Sequence, residues 1–334
     1  MDRAASGIRA EEIFCLFLLA WIFIALVGTQ WALVIEGPVA EGPVSPVDPA
    51  DVASGFENPG SGEARGAAPA WVGALGFLSL GLCFGFVSRA FGGRRTDPEP
   101  RRPPAAAPHV LVETFLLFIL LSLALGVWLG SLMGPGNASE TGTLWPLWLQ
   151  WSLALVFLWP LGRGFSVPDL GRAVAWPVGS PSSRFWGDVV WGLAAYVASW
   201  PILALAAGLS VWISQHWASG RHPVADLLLE AQGFDLLTLW IIALVWAPLM
   251  EELVFRGVFF SYLWARWSPW VATVGSASFF AVLHPQGVAG WPFLFTLGAV
   301  FAAARYVRGS IVPCMTMHCI HNGVTLTVLT KWMS

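Results

Sequence analysis

The feature that most narrows the possible folds is a succession of apolar runs along the chain, several of them about 20 residues long, the length that spans a bilayer's hydrocarbon core as a helix. Inside that core every backbone N–H and C=O must find a partner within the chain, and a helix achieves this segment by segment. The runs cover residues 13–35, 71–91, 110–133, 144–161, 189–213, 236–250, 271–283, 291–306 and 311–329. They predict an all-α, polytopic membrane helical bundle of eight or nine transmembrane helices, with the last four forming a compact C-terminal core. Charged residues make up only 11% of the chain against 56% hydrophobic, whereas soluble domains carry about 25% charged residues. An ordinary soluble domain is thereby excluded. So is nucleic-acid binding, since arginines occur only in short clusters within connecting segments.

The connections set an expected orientation. Arginine gathers at the N-terminus, in 92–108, in 163–184, around Arg256 and Arg266, and at Arg305 and Arg308; segments 36–68, 134–143, 214–234 and 285–290 are poor in it. These alternate across nine spans, which predicts a multi-pass protein of the cell membrane with a cytoplasmic N-terminus. The run at 13–35 is too long for a signal peptide and reads as the first span. Residues 36–68 form an acidic loop, and 92–108 a basic, proline-rich linker. The tryptophans near run ends read as interfacial anchors. Pro201 should kink its span. His216 and His222 fall in a polar connection and read as solvated. The chain divides into an N-terminal transmembrane region, 1–234, and a C-terminal region, 235–334.

Cys15, Cys83, Cys314 and Cys319 all lie in or beside apolar runs. Without a CxxC pair they support neither a zinc ribbon nor a disulfide framework, and read as small buried residues.

Residues 248–257 break the apolar pattern with Glu251, Glu252 and Arg256. Ionisable groups within a span are costly, so they mark candidate functional sites and need partners. On a helix Glu252 and Arg256 are one turn apart and can pair, while Glu251 is rotated about 100° from Glu252 and faces elsewhere. Asp235 is positioned to cap this helix. Two later segments offer partners for Glu251. His284 ends an apolar run just before Pro285; His318, His321 and Asn322 share one turn of the last span, with His318 and Asn322 on one face. Taken singly, the charged stretch also fits a helix end at the interface, and His284 an interfacial residue. For Glu251 and His284 to meet, the first helix must continue past Arg256 to about Leu263.

Together these residues make three motifs in order: Glu251-Glu252-Leu253-Val254-Phe255-Arg256, Phe280-Ala281-Val282-Leu283-His284 and His318-Cys319-Ile320-His321-Asn322. In this the chain resembles the CAAX-protease and bacteriocin-processing family of intramembrane endopeptidases, which includes the type II CAAX prenyl endopeptidases. Their patterns are EExxxR, FxxxH and HxxxN/D. The resemblance covers residues 235–330. It implies a peptide-bond hydrolase acting on membrane-embedded or membrane-associated peptides or proteins in the lipid bilayer. By resemblance Glu251 is the general base and His284 its partner in activating a water, while His318 and Asn322 stabilise the oxyanion. Glu252, Arg256 and Phe280 support them. The implied mechanism needs no cofactor. A metal-dependent version would draw on Glu251, His284 and His318, a His₂Glu set of the kind found in catalytic zinc sites, although the sequence has no HExxH.

Two other classes fit the same composition. A proton-coupled transporter would line several spans with polar groups, and the upstream spans offer little beyond Gln150. A catalytically inactive scaffold of the same fold would have no need of His284 and Asn322 together.

Overall fold

The computed structural model describes residues 8–36, 108–132, 144–177, 181–216, 227–228 and 231–333. Apart from their end residues Glu36 and Pro108, the acidic loop 36–68 and the linker 92–108 fall outside these, as does the span expected at 71–91. The described residues are helical, with no strand among them. In chain order the helices are α1 (Ala10–Glu36), α2 (Pro108–Leu132), a 3-10 helix (Trp145–Phe157) that continues as α3 (Leu158–Gly162), α4 (Val167–Ala173) and α5 (Ser182–His216). Then come α6 (Gly233–Arg266), α7 (Pro269–Val282), α8 (Gly287–Arg308) and α9 (Val312–Met333).

Five helices are long and apolar enough to cross a membrane: Ala10–Gln30, Pro108–Leu129, Ser182–Gln215, Gly233–Arg266 and Gly287–Arg308. With the shorter apolar helices Leu147–Gly162 and Pro269–Val282 they form the polytopic bundle of a multi-pass membrane protein. The 144–161 segment is helical as expected but mostly 3-10. Its 13 residues rise about 26 Å at about 2.0 Å each, so a short stretch reaches nearly as far as a full span. α5 continues through Pro201.

Local signals explain several ends. Pro108 opens α2, where its missing N–H costs nothing. Ser166 and Asp169 form a reciprocal capping box at α4, and the Ser166 hydroxyl and amide hold the Asp169 carboxyl below its usual range. The Ser268 hydroxyl accepts from Val271 N to start α7. Asp235 behaves differently from the expectation. The residue at the N-cap of α6 is Gln232, and Asp235 sits inside the first turn. There its Oδ1 accepts from the backbone N–H of Leu144 at 2.8 Å. A carboxylate favours the first turn of a helix electrostatically, and a neighbouring segment supplies a free N–H, so tertiary contact overrides local capping.

α6 runs unbroken beyond Arg256 to Arg266, but it is not uniformly α-helical. Two π-helical stretches, Ile242–Trp246 and Leu253–Phe259, flank the short α segment Ala247–Glu252. α2 lies along the second of these. Phe115 is fully buried, stacks on Phe259 at 3.9 Å and meets Phe255 and Phe279 edge-on at 5.6 and 5.7 Å. Because lipid is as apolar as these rings, the gain comes from dense packing more than from water exclusion. Gly257 makes a similar approach possible on the side of α4: a Cβ there would lie 2.8 Å from Val174 Cβ.

Polar ties join helices that are far apart in sequence. Arg308 in α8 donates from Nε and Nη2 to Asp188 Oδ1 of α5 at 2.8 and 2.6 Å. Arg266 at the end of α6 pairs with Glu12 of α1, and Gln30 of α1 donates to Val282 O of α7 at 2.8 Å.

Candidate active site

Glu251 and Glu252 end the α segment between the two π stretches, and their side chains leave α6 in different directions. The Glu252 side chain is 0% exposed and the Glu251 side chain 27%. Glu252 is the anchored one. Its Oε1 accepts from Arg256 Nη1 at 2.9 Å, one turn on, which is the expected pair. The same oxygen also accepts from His318 Nδ1 of α9 at 2.9 Å. A buried carboxylate must be paired and hydrogen-bonded to be tolerated, and here two donors share the task.

Arg256 is fully buried as well. Its Nη2 donates to Gly298 O of α8 at 3.1 Å. Its guanidinium carbon lies 4.5 Å from the Phe280 ring centroid and 5.2 Å from that of Phe301, an arrangement in which the ring faces attract the cation. Gly298 suits this closeness: a Cβ there would sit 3.1 Å from Ala277 Cα and 3.3 Å from Arg256 Nη2, tight enough that a neighbour would have to shift.

His284 follows the end of α7. Its Nδ1 lies 2.5 Å from Phe280 O; a carbonyl only accepts, so Nδ1 carries the proton. Phe280 thus works twice, with its carbonyl fixing His284 and its ring packing 4.3 Å from that imidazole. By the same logic the carboxylate of Glu252 fixes the proton of His318 on Nδ1. In both neutral rings Nε2 is left as an acceptor. These two nitrogens approach the same atom: Glu251 Oε2 lies 3.9 Å from His284 Nε2 and 3.8 Å from His318 Nε2. That oxygen is itself buried without a hydrogen-bond partner. Three helical elements thereby bring three acceptor atoms to face one another.

Asn322, the fourth residue of the set, is directed to backbone. Its Nδ2 donates to Ala243 O at 2.8 Å, a carbonyl in the first π stretch of α6. Cys319 Sγ approaches the next one, Leu244 O, at 3.1 Å. In the second π stretch, Phe255 O accepts from Ser276 Oγ of α7 at 3.1 Å. A π turn disturbs the regular backbone ladder, and side chains of α9 and α7 bond these carbonyls, so both partner helices are keyed to α6 at its irregular points.

The Glu252–Arg256 pair is legible from sequence spacing, whereas the bond from Glu252 to His318 is not. Nor does spacing announce Tyr196 of α5, whose hydroxyl lies 3.1 Å from His321 Nδ1. The signal for the latter was thin: a tyrosine in an apolar run, where a buried hydroxyl usually needs a partner.

The donor set has the composition of a zinc site, yet its spacing differs. Bonds of about 2.0–2.1 Å to a tetrahedral ion bring ligand atoms to about 3.4 Å of one another, against 3.8 and 3.9 Å here. Among the described residues no group of three or more His, Cys, Asp or Glu is arranged to hold a metal ion.

The type II CAAX prenyl endopeptidase Rce1-like family matches residues 233–324. The match covers α6, α7, α8 and the first half of α9, and contains Glu251, Glu252, Arg256, Phe280, His284, His318 and Asn322. No curated protein and no solved structure matches the chain.

Proposed function

We propose that this protein is an intramembrane endopeptidase, hydrolysing peptide bonds in membrane-embedded or membrane-associated peptides or proteins with a water activated by Glu251 and His284. The observation that carries the reading is the convergence of Glu251 Oε2, His284 Nε2 and His318 Nε2 at 3.8–3.9 Å. Three facing acceptors repel one another unless a donor lies between them, and polar groups more than about 3.5 Å apart are commonly bridged by water. A water molecule supplies two protons to such a site and keeps a lone pair for attack. The Rce1-like match over the same helices supports peptide hydrolysis as the reaction.

In this mechanism the water donates one hydrogen bond to Glu251 and one to His284. As its oxygen bonds to the peptide carbonyl carbon, its proton passes to Glu251. The carbonyl oxygen becomes an oxyanion, received by His318 and by the remaining amide hydrogen of Asn322. For this His318 takes up a second proton from solvent, on Nε2, as the substrate binds, with Glu252 balancing the charge through Nδ1. Glu251 then gives its proton to the leaving nitrogen, the C–N bond breaks, and a carboxyl and an amine product separate. Arg256 and Phe280 hold Glu252 and His284 in position. The arginine asymmetry supports a cell-membrane protein with its N-terminus on the cytoplasmic side.

The decisive comparison is membrane-peptide proteomics of cells carrying wild type or Glu251→Gln at equal abundance. Peptides processed by wild type should persist in the variant, with the cleavage rate reduced at least about 10³-fold. Equal processing by both would overturn the reading. The proposed reaction uses no metal, so chelation of the purified protein should leave cleavage of such a peptide intact. A loss restored by zinc alone would replace the metal-free mechanism with a zinc-dependent one.

A further inference from the structure

The oxyanion pair just described has two encumbrances. His318 needs a second proton before its Nε2 can donate, and Asn322 already spends one amide hydrogen on Ala243 O. His321 has neither. It lies three residues after His318, one turn along the same side of α9, about 5–6 Å away between Cβ atoms. It is only half-buried and lies within electrostatic reach of both His318 and His284. Its ring packs 5.4 Å from Phe293, in the second turn of α8, the helix that begins directly after the His284 turn.

The partner behind His321 sets its tautomer. Tyr196 of α5 is buried, and its hydroxyl is 3.1 Å from His321 Nδ1. That hydroxyl proton has no other acceptor among the described residues, so it is satisfied only by donating to the ring nitrogen. The tyrosine proton is therefore directed to His321 Nδ1. The ring proton of His321 then sits on Nε2, the opposite of His284 and His318. Two histidines on this site are acceptors at Nε2, and the third is a donor.

The geometry points to His321 as a substrate-binding hydrogen-bond donor, its Nε2–H held by Tyr196 and offered to the scissile or adjacent carbonyl of the membrane peptide. This rests on the endopeptidase reading and assigns that site a group the three motifs do not include. It also gives the N-terminal region a part in the site, through Tyr196 as a positioning residue.

Two measurements test it. The first needs no substrate: ¹⁵N spectra of the histidine rings in the full chain, reconstituted in lipid nanodiscs. The resonance absent from His321→Gln should have the Nε2–H pattern in wild type and become a tautomer mixture in Tyr196→Phe; an Nδ1–H pattern in wild type overturns the proposal. The second is cleavage of a peptide that wild type processes and Glu251→Gln does not. His321→Ala should lower kcat on the order of 10²-fold, as removal of one oxyanion donor does. His321→Gln, whose Nε2 can still donate, should stay within roughly threefold of wild type. Tyr196→Phe should reduce cleavage alone but add nothing in the His321→Gln background, because a glutamine has no tautomer to fix. Losses that multiply in the double variant would mark Tyr196 as merely structural and overturn its role. Wild-type cleavage by His321→Ala beside a dead Glu251→Gln would sink this inference and leave the endopeptidase standing. Equal cleavage by wild type and Glu251→Gln would remove both.

Discussion

The two π stretches of α6 are alike in backbone and unlike in setting. Residues 253–259 are almost wholly buried: α2 covers them through Phe115, α4 meets them at Gly257, and Ser276 of α7 bonds Phe255 O. Residues 242–246 are mostly half-buried, with Val245 exposed, and their carbonyls are held by Asn322 and Cys319 of α9. The downstream stretch is thus a fixed footing, and the upstream one a hydrogen-bonded joint at the less enclosed end. Glu251 and Glu252 sit between them. One end of α6 is keyed to the helix that leads into His284, and the other to the helix bearing His318.

That asymmetry can be broken in order of expected cost. Arg256→Met leaves Glu252 buried without its cation and should destabilise the protein by about 3–5 kcal/mol, read as a large fall in thermal midpoint in detergent. A loss below about 1 kcal/mol would mean that the downstream footing is far more hydrated than its burial implies. Ser276→Ala removes the second donor to Phe255 O, which keeps its bond from the Phe260 amide, and should cost about 1 kcal/mol, again by thermal unfolding. Cys319→Ala removes only a weak thiol donor from the upstream joint, with an expected cost of about 0.5 kcal/mol. If Cys319→Ala proved as damaging as Ser276→Ala, the two stretches would be mechanically equivalent and the comparison would fall.

Much of the site was readable because its signals are local. The Glu252–Arg256 pair follows from helical spacing, and the extension of α6 follows from the apolar residues after Arg256. The bond from His318 to Glu252 is another matter. It joins residues 66 apart, and it depends on how α9 packs against the π turns, which no residue pattern announces. Asp235 was misjudged for a related reason: the nearest local use of a carboxylate is a cap, yet the free N–H of Leu144, distant in sequence, took it instead. Nor did composition reveal that residues 145–157 would wind as a 3-10 helix, since hydropathy reports burial and length but not pitch.

A π stretch also fixes what kind of change a helix will accept. Relative to a regular helix it holds an extra residue in one turn, so its geometry is a matter of residue count as well as identity. Removing a single residue between 253 and 259 would let the backbone relax to ordinary α geometry, drawing in the wide turn that Ser276 meets at Phe255 O and that Phe115 covers. Chains of this design should therefore drift freely in the identity of their lining residues while holding the length of this segment constant. In such a lineage an insertion or deletion here would be rarer than any single exchange of side chain.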